Sequence, residues 1–511
     1  MIVCKSLFRT ARPMAIMLAL AAAPAPAHSA GTPPVAQTDS GKVAGARDGQ
    51  VESFKGIPYA APPVASLRWR APQPVQPWAG LRAAQAFGPS CMQPLRTPGN
   101  GITRATMSED CLTLNVFRPV GARHLPVMVW IYGGSLITGS SALPIYDGAA
   151  FARGGVILVS INYRLGNFGY FVHPALTREN ADGGRLGNYG LMDQIAALKW
   201  VRRNIAAFGG DPANVTIFGE SAGGLSVDGL MISPEARGLF AGAISESGYG
   251  RGPFRRISTP APDGQNSGED QGTETAGKWG LTQATAAQLR ALPADQITPY
   301  TRKDNVNFYL DGKTITEDMW ASFRAGHEAP VPLLIGSNGL EFPNPARNVA
   351  YLDSYMTPDQ RDKVIAAYGD TQSGYDHLGS DATFAEQARA LARMHVRNGH
   401  KAYVYLFNAV AEGSPATAGA GHGSELRYVF DTLGAGAAPV TGAKAQAVAT
   451  RMNAQWRAFA RSRRPDGAGL PAWPAYDGCQ ILSITLDQMQ AVCDPRNARL
   501  DVLSQMIDPK S

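Results

Sequence analysis

Short apolar, β-branched runs recur along the chain at 127–131, 156–161, 215–218, 331–335 and 402–407. Each has the length of a strand and is mainly apolar rather than alternating, which predicts strands buried on both faces. Between the second and third runs Leu191, Ile195, Leu198, Val201 and Ile205 fall at helical spacing, with Asn188 placed as an N-cap and Gly209 just beyond the end. Val448, Met452, Trp456 and Phe459 mark another helix, and their place is the core. Strands alternating with helices predict an α/β architecture, a mainly parallel sheet covered on both faces. Polar or Gly/Pro-rich stretches at 256–275, 412–423 and 434–442 read as loops.

The strand at 215–218 runs straight into Gly219-Glu220-Ser221-Ala222-Gly223, and Leu225, Val227, Leu230 and Met231 follow in the pattern of an amphipathic helix. Strand, GxSxG and helix together predict a nucleophile elbow. There a serine sits on a strained turn with its Oγ above the sheet edge, and the helix N-terminus behind it favours negative charge.

Composition narrows the setting. The first thirty residues carry Lys5, Arg9 and Arg12 without an acid, then an apolar run and small-residue sites at Ala27 and Ala30, the layout of a secretory signal peptide over 1–30. No later stretch is apolar for long enough to span a bilayer, so a soluble exported protein is expected. Subtracting the three leader cations from the formal charge of +6 leaves +3, and without a Lys/Arg run this gives no footing for nucleic acid. After Cys4 is removed with the leader, Cys91, Cys111, Cys479 and Cys493 remain. Local pairing is the simplest of three possible connectivities, and neither pair has zinc-site spacing. With no internal repeat and no long linker, residues 31–511 read as one large domain with excursions.

A serine hydroxyl needs a base of near-neutral pKa, and that base needs a carboxylate to fix its tautomer. In the chain order Ser, acid, His, the position of Ser221 excludes His124 and His173. His422 follows the strand 402–407 in Gly421-His422-Gly423-Ser424-Glu425, whose glycines let an imidazole reach the elbow. His395 and His400 lie in a charged stretch that reads as surface, and His327 and His377 in polar turns. The strand 331–335 runs into 336–341, which places Glu341 past a strand's C-terminal end, where active-site groups of open α/β sheets belong. The strand ending at Ile131 opens into Tyr132-Gly133-Gly134-Ser135; the amides of Gly133, Gly134 and Ala222 are the candidate oxyanion donors.

The chain resembles the type-B carboxylesterases, the α/β-hydrolase family that includes bacterial p-nitrobenzyl-type esterases, fungal lipases and cholinesterases. The shared stretches are collinear over nearly the whole mature chain: Phe54-Lys55-Gly56-Ile57-Pro58-Tyr59-Ala60, Ser108-Glu109-Asp110-Cys111-Leu112-Thr113-Leu114-Asn115, Asn162-Tyr163-Arg164-Leu165-Gly166, Phe208-Gly209-Gly210-Asp211-Pro212, the elbow, Ala243-Ile244-Ser245-Glu246-Ser247-Gly248 and Trp473-Pro474-Ala475-Tyr476. The resemblance implies an α/β-hydrolase fold, Ser221 as nucleophile, Glu341 as acid, His422 as base and a disulfide between Cys91 and Cys111.

Four positions depart from that family's pattern. Tyr132 stands where His is usual, Ser135 where a third Gly is frequent, and Leu340 and Phe342 flank Glu341 in place of Asp and Gly, so a repacked acid loop is expected. The stretch 92–110 contains no Trp, Tyr or Phe, so the aromatic platform on which cholinesterases stack choline is missing. The expected activity is hydrolysis of a small-molecule ester through an acyl-enzyme, with no metal or organic cofactor. The sequence leaves open thioesters, amides or polyesters as substrates, a non-catalytic binding role, and the oligomeric state.

Overall fold

The apolar runs form the middle of one sheet. The computed structural model describes residues 32–95, 101–251, 253–260, 264, 266–301, 306–343, 356–410, 419–436 and 439–507; the leader expected over 1–30 and Arg96 lie outside them. Among the described residues, eleven strands make the main sheet: β1 (Ala46–Asp48), β2 (Val51–Pro58), β3 (Thr113–Pro119), β4 (Leu125–Ile131), β5 (Ile157–Ile161), β6 (Gly210–Glu220), β7 (Gly242–Glu246), β8 (Leu333–Asn338), β9 (Ala402–Phe407), β10 (Gln480–Ile484) and β11 (Met489–Cys493). Their spatial order is β11-β10-β9-β8-β7-β6-β4-β5-β3-β2-β1. The block from β10 to β5 is parallel, and both flanks are antiparallel. Every residue of β5, β7, β8 and β9 is buried, including the polar residues at the C-terminal ends of β7 and β8, Ser245, Glu246, Ser337 and Asn338.

The chain makes β4, then β5 on one side of it, then returns to lay β6 on the other. Loops leaving β4 and β6 therefore part at a topological switch point, where open α/β sheets form their ligand crevice. In register Ile131 of β4 faces Gly219 of β6, so the 132–135 loop and the 221 turn emerge side by side.

The helices used below are α1 (Tyr189–Asn204), α2 (Ala222–Ile232), α3 (Gly268–Lys278), α4 (Gln372–Ser380), α5 (Glu386–Arg397), α6 (Leu426–Val429) and α7 (Ala443–Ser462). Helix α1 packs on β6, while α2 and α7 pack on both β4 and β6. Val448, Met452, Trp456 and Phe459 of α7 are buried as the pattern predicts.

Three readings need correction. Helix α2 is not amphipathic: all eleven of its residues are buried, because sheet and helices enclose it. Asn188 does precede α1, but its side chain does not cap it; its amide instead spans to Tyr309, accepting from Tyr309 N at 2.9 Å and donating to Tyr309 O at 2.8 Å. The stretch 256–275 is not loop throughout. Helix α3 starts at Gly268 behind a Ser267–Asp270 capping box, and a Cβ on its Gly272 would lie 1.6 Å from the Val172 carbonyl. Close approach to backbone selects glycine inside that helix, and the glycines hid it.

Several of the shared stretches hold the sheet edge together. Arg164 forms a bidentate pair with Asp193 of α1 at 2.8 Å on both arms, out of water. Asn115 Nδ2 donates to Ser141 and Ser160, and Asn162 Oδ1 accepts from Ser141 N at 3.0 Å. Arg68 clamps Glu109 at 2.6 Å beside Cys111. The sulfurs of Cys91 and Cys111 lie 2.09 Å apart, and those of Cys479 and Cys493 are likewise at bonding distance.

Candidate active site

Strand β6 delivers the chain to Ser221, which turns at φ 57° and ψ −121° before α2 begins. A residue with a Cβ is unfavourable there, and the surrounding backbone holds it: Ser221 N donates to Glu246 O at 2.9 Å, and Leu225 N donates to Ser221 O at 2.9 Å. The glycines are sterically required. A Cβ on Gly223 would lie 2.0 Å from the Ile131 carbonyl, and one on Gly219 2.5 Å from the Gly223 carbonyl.

The loop after β4 touches this turn, since a Cβ on Gly133 would sit 2.5 Å from Glu220 O and 3.0 Å from Ser221 Cβ. Gly134 has φ 109°, with the Thr138 carbonyl 2.1 Å from where a Cβ would be. Ala222 is the first residue of α2, so its amide has no intrahelical acceptor. Ser135 keeps φ 59°, a backbone conformation that suits glycine, although it carries a side chain. Tyr132 is fully buried; its ring stacks on Tyr163 at 4.6 Å, and Tyr163 OH donates to Tyr132 O at 2.7 Å. The tyrosine pair thus props the loop from behind.

Glu341 follows β8 and His422 follows β9, neighbouring parallel strands that end in register at Asn338 and Phe407. His422 Nδ1 lies 2.7 Å from Glu341 Oε2. The other oxygen, Oε1, accepts from Ser247 Oγ and from Asn338 N, each at 2.7 Å. The flank expected to be repacked is locked to the histidine's loop: Leu340 N donates to Ala420 O at 3.0 Å and His422 N to Glu341 O at 3.1 Å.

On the far edge of the imidazole, Nε2 is 3.2 Å from Glu220 Oε1, at ion-pair distance but not aligned as a hydrogen bond. Behind lie further buried carboxyls. Burial raises Glu220 above the usual range, the His422 charge opposing it. Burial lifts Glu246 to about 8 despite a 2.7 Å hydrogen bond from Trp456 Nε1. Glu425 is pushed well up by burial and then by Glu220, Glu341 and Glu246, and it accepts from Asn338 Nδ2. Burial and mutual repulsion both favour the protonated form of these carboxyls.

Ser247, Asn338, Glu220 and Glu425 were not singled out from the sequence. Ser247 and Glu220 stood inside noted stretches, and Glu425 stands three residues past His422; none carried a mark of its own. Two other histidines differ from expectation. His395 is not on the surface but fully buried, its Nδ1 2.9 Å from Glu328 and its Nε2 2.9 Å from Val331 O, and His377 lies within α4 rather than in a turn.

A strand–elbow–helix serine at the switch point of a mainly parallel sheet defines an α/β-hydrolase. Residues 32–366 and 349–503 match the Carboxylesterase family. The chain is 36% identical to the fumonisin B1 esterase of Sphingopyxis macrogoltabida over 90% of its own length and 88% of the relative's, and 37% identical to the para-nitrobenzyl esterase of Bacillus subtilis (strain 168) over 86% and 92%. A solved structure of a PNB esterase superposes with a TM-score of 0.80 at 33% identity, covering 92% of this chain and 99% of that one. The chain belongs to the carboxylesterase family and is a carboxylic ester hydrolase. Among the described residues no helix is long and apolar enough to cross a membrane.

Proposed function

We propose that the protein is an exported serine carboxylesterase in which Ser221, His422 and Glu341 form the catalytic triad, built as one α/β-hydrolase domain over 31–511 behind a removable leader. The observation that carries this reading is the 2.7 Å contact between His422 Nδ1 and Glu341, which turns Nε2 away from the acid, combined with the strained serine turn at the switch point. Ser221 Oγ attacks the ester carbonyl while His422 Nε2 takes its proton, and Glu341 holds the tautomer and stabilises the imidazolium. The tetrahedral oxyanion is met by the amides of Gly133, Gly134 and Ala222, each worth about 3 kcal/mol of transition-state stabilisation. Collapse breaks the ester C–O bond, and His422 returns its proton to the departing alcohol. Water, deprotonated by the same imidazole, then releases the acid and regenerates Ser221. Export is supported by the charged-then-apolar N-terminal pattern and by two cysteine pairs at bonding distance.

The test is Ser221→Ala together with an organophosphonate trap. The variant should lose ester hydrolysis yet keep its fold, and intact mass of the wild type should show one adduct mapping to Ser221. An adduct elsewhere, or turnover in the variant, refutes the triad. A panel of p-nitrophenyl esters, thioesters and amides identifies the substrate class.

A further inference from the structure

The two nitrogens of His422 face carboxylates, and its ring faces aromatics. Phe342, next in the chain after Glu341, has its ring centroid 4.3 Å from the imidazole at an interplanar angle of 37°. Phe384 has its centroid 5.0 Å away at 38°. The two phenylalanines are themselves 5.8 Å apart, so they form a corner around the imidazole rather than a sandwich. Tyr249 packs edge-on against the back of Phe384 at 6.1 Å.

Phe384 reaches this place from a π-helical turn, Asp381–Ala385, inserted between α4 and α5. Such turns are rare and concentrate where a side chain must be aimed at a functional site. Phe342 stands where the resembling family has glycine, and a residue without a ring would leave that side of the imidazole bare.

We propose that Phe342 and Phe384 are positioning residues for His422, fixing the tilt of its ring and favouring its protonated form during turnover. The hydrogen bond at Nδ1 fixes one edge of the ring but opposes tilting only weakly; two aromatic walls oppose it directly. The phenyl face is electron-rich, so it attracts an imidazolium more than a neutral imidazole, and both centroids lie inside the roughly 6 Å range of that attraction. The imidazolium appears only after the serine proton has moved, so the gain falls on the transition state rather than on substrate binding. The charged groups facing the ring are Glu341 on Nδ1 and Glu220 beside Nε2, with Glu425 behind Asn338. On the π-turn and the start of α5, Asp381 is bonded to Tyr368 and Arg499, and Glu386 to Arg251 and Ser504.

The proposal rests on His422 being the base. Its test compares Phe342→Leu, which keeps bulk and removes the ring, with Phe342→Tyr, which keeps the ring; Phe342 is 46% exposed and tolerates either. Phe384→Leu is the companion, and a thermal melt reports its folding. With p-nitrophenyl butyrate the leucine variants should lose about threefold in kcat at unchanged KM, and the acid limb of kcat/KM should move down by about half a pH unit as the imidazolium loses its stabilisation. Phe342→Tyr should restore both. A Phe342→Leu enzyme with the wild-type pH limb overturns the proposal, as does a kcat loss that the tyrosine fails to restore. Either result leaves the triad standing if phosphonate still labels Ser221, whereas failure of that labelling in the wild type removes the triad itself.

Discussion

His422 and Glu341 are joined twice: imidazole Nδ1 to carboxylate at 2.7 Å, and the His422 amide to the Glu341 carbonyl at 3.1 Å. The second contact does not depend on the glutamate's side chain. Glu341→Gln should therefore keep both loops in place while losing the stabilisation of the imidazolium. We expect kcat to fall by about 10³-fold or more with an unchanged melting temperature. Retention of more than about a tenth of wild-type activity would assign the orienting role to another carboxylate.

Glu246 makes stability fall as pH rises. Its folded-state pKa is raised by burial from 4.5 to about 8, so the neutral carboxyl is the folded form. Below the unfolded value both states hold the proton and the contribution is whole; between the two values the unfolded chain has released its proton and the folded chain has not, so stability is lost with increasing pH. Asp228, raised by burial to about 7, acts with the same sign. Glu246→Gln keeps an acceptor for Trp456 and cannot ionise. Its melting temperature relative to wild type should rise steadily from pH 5 to pH 8.5; parallel curves would show that Glu246 does not titrate in this window.

The two cysteine pairs close short loops, with sequence separations of 20 and 14. By loop-closure entropy each should add about 3 kcal/mol. Cys91→Ser with Cys111→Ser should lower the urea midpoint without changing the active-site chemistry. Non-reducing peptide mapping should find Cys91 with Cys111 and Cys479 with Cys493; a cross-pair refutes the assignment.

Choline esters should gain nothing from their charge. The 92–110 loop has no aromatic residue, and it carries Arg104 on a short helical turn. A missing cation–π contact forgoes about 0.5 to 2 kcal/mol. Butyrylcholine should be hydrolysed no faster, by kcat/KM, than the neutral isostere 3,3-dimethylbutyl butyrate. A clear preference for the cation would place an aromatic site elsewhere in the chain.

The parts of this protein legible in the sequence are those with local causes. Apolar runs such as 402–407 show buried parallel strands because both faces are covered, and Gly219 and Gly223 show the elbow because backbone carbonyls exclude a Cβ. What could not be read is what the fold brings together from afar. Glu220, Glu246 and Glu425 look like ordinary acids until the sheet buries them as a group. His395 looked like surface because arginines surround it in sequence, yet its face of α5 turns inward onto Glu328. The aromatic corner depends on a π-turn, and no residue pattern specifies one.

Because the serine, the acid and the imidazole leave β6, β8 and β9 at sequence positions 221, 341 and 422, none of these loops can assemble a working site alone. Contacts of such long range form late and slowly in folding. On the triad proposed above, a chain still emerging from a ribosome would carry its nucleophile for some two hundred residues before its base existed. On that reading ester hydrolysis becomes a clock for maturation, switched on only when the parallel sheet has been completed through β9, and a chain cut short before that strand should be silent however well its first half has folded.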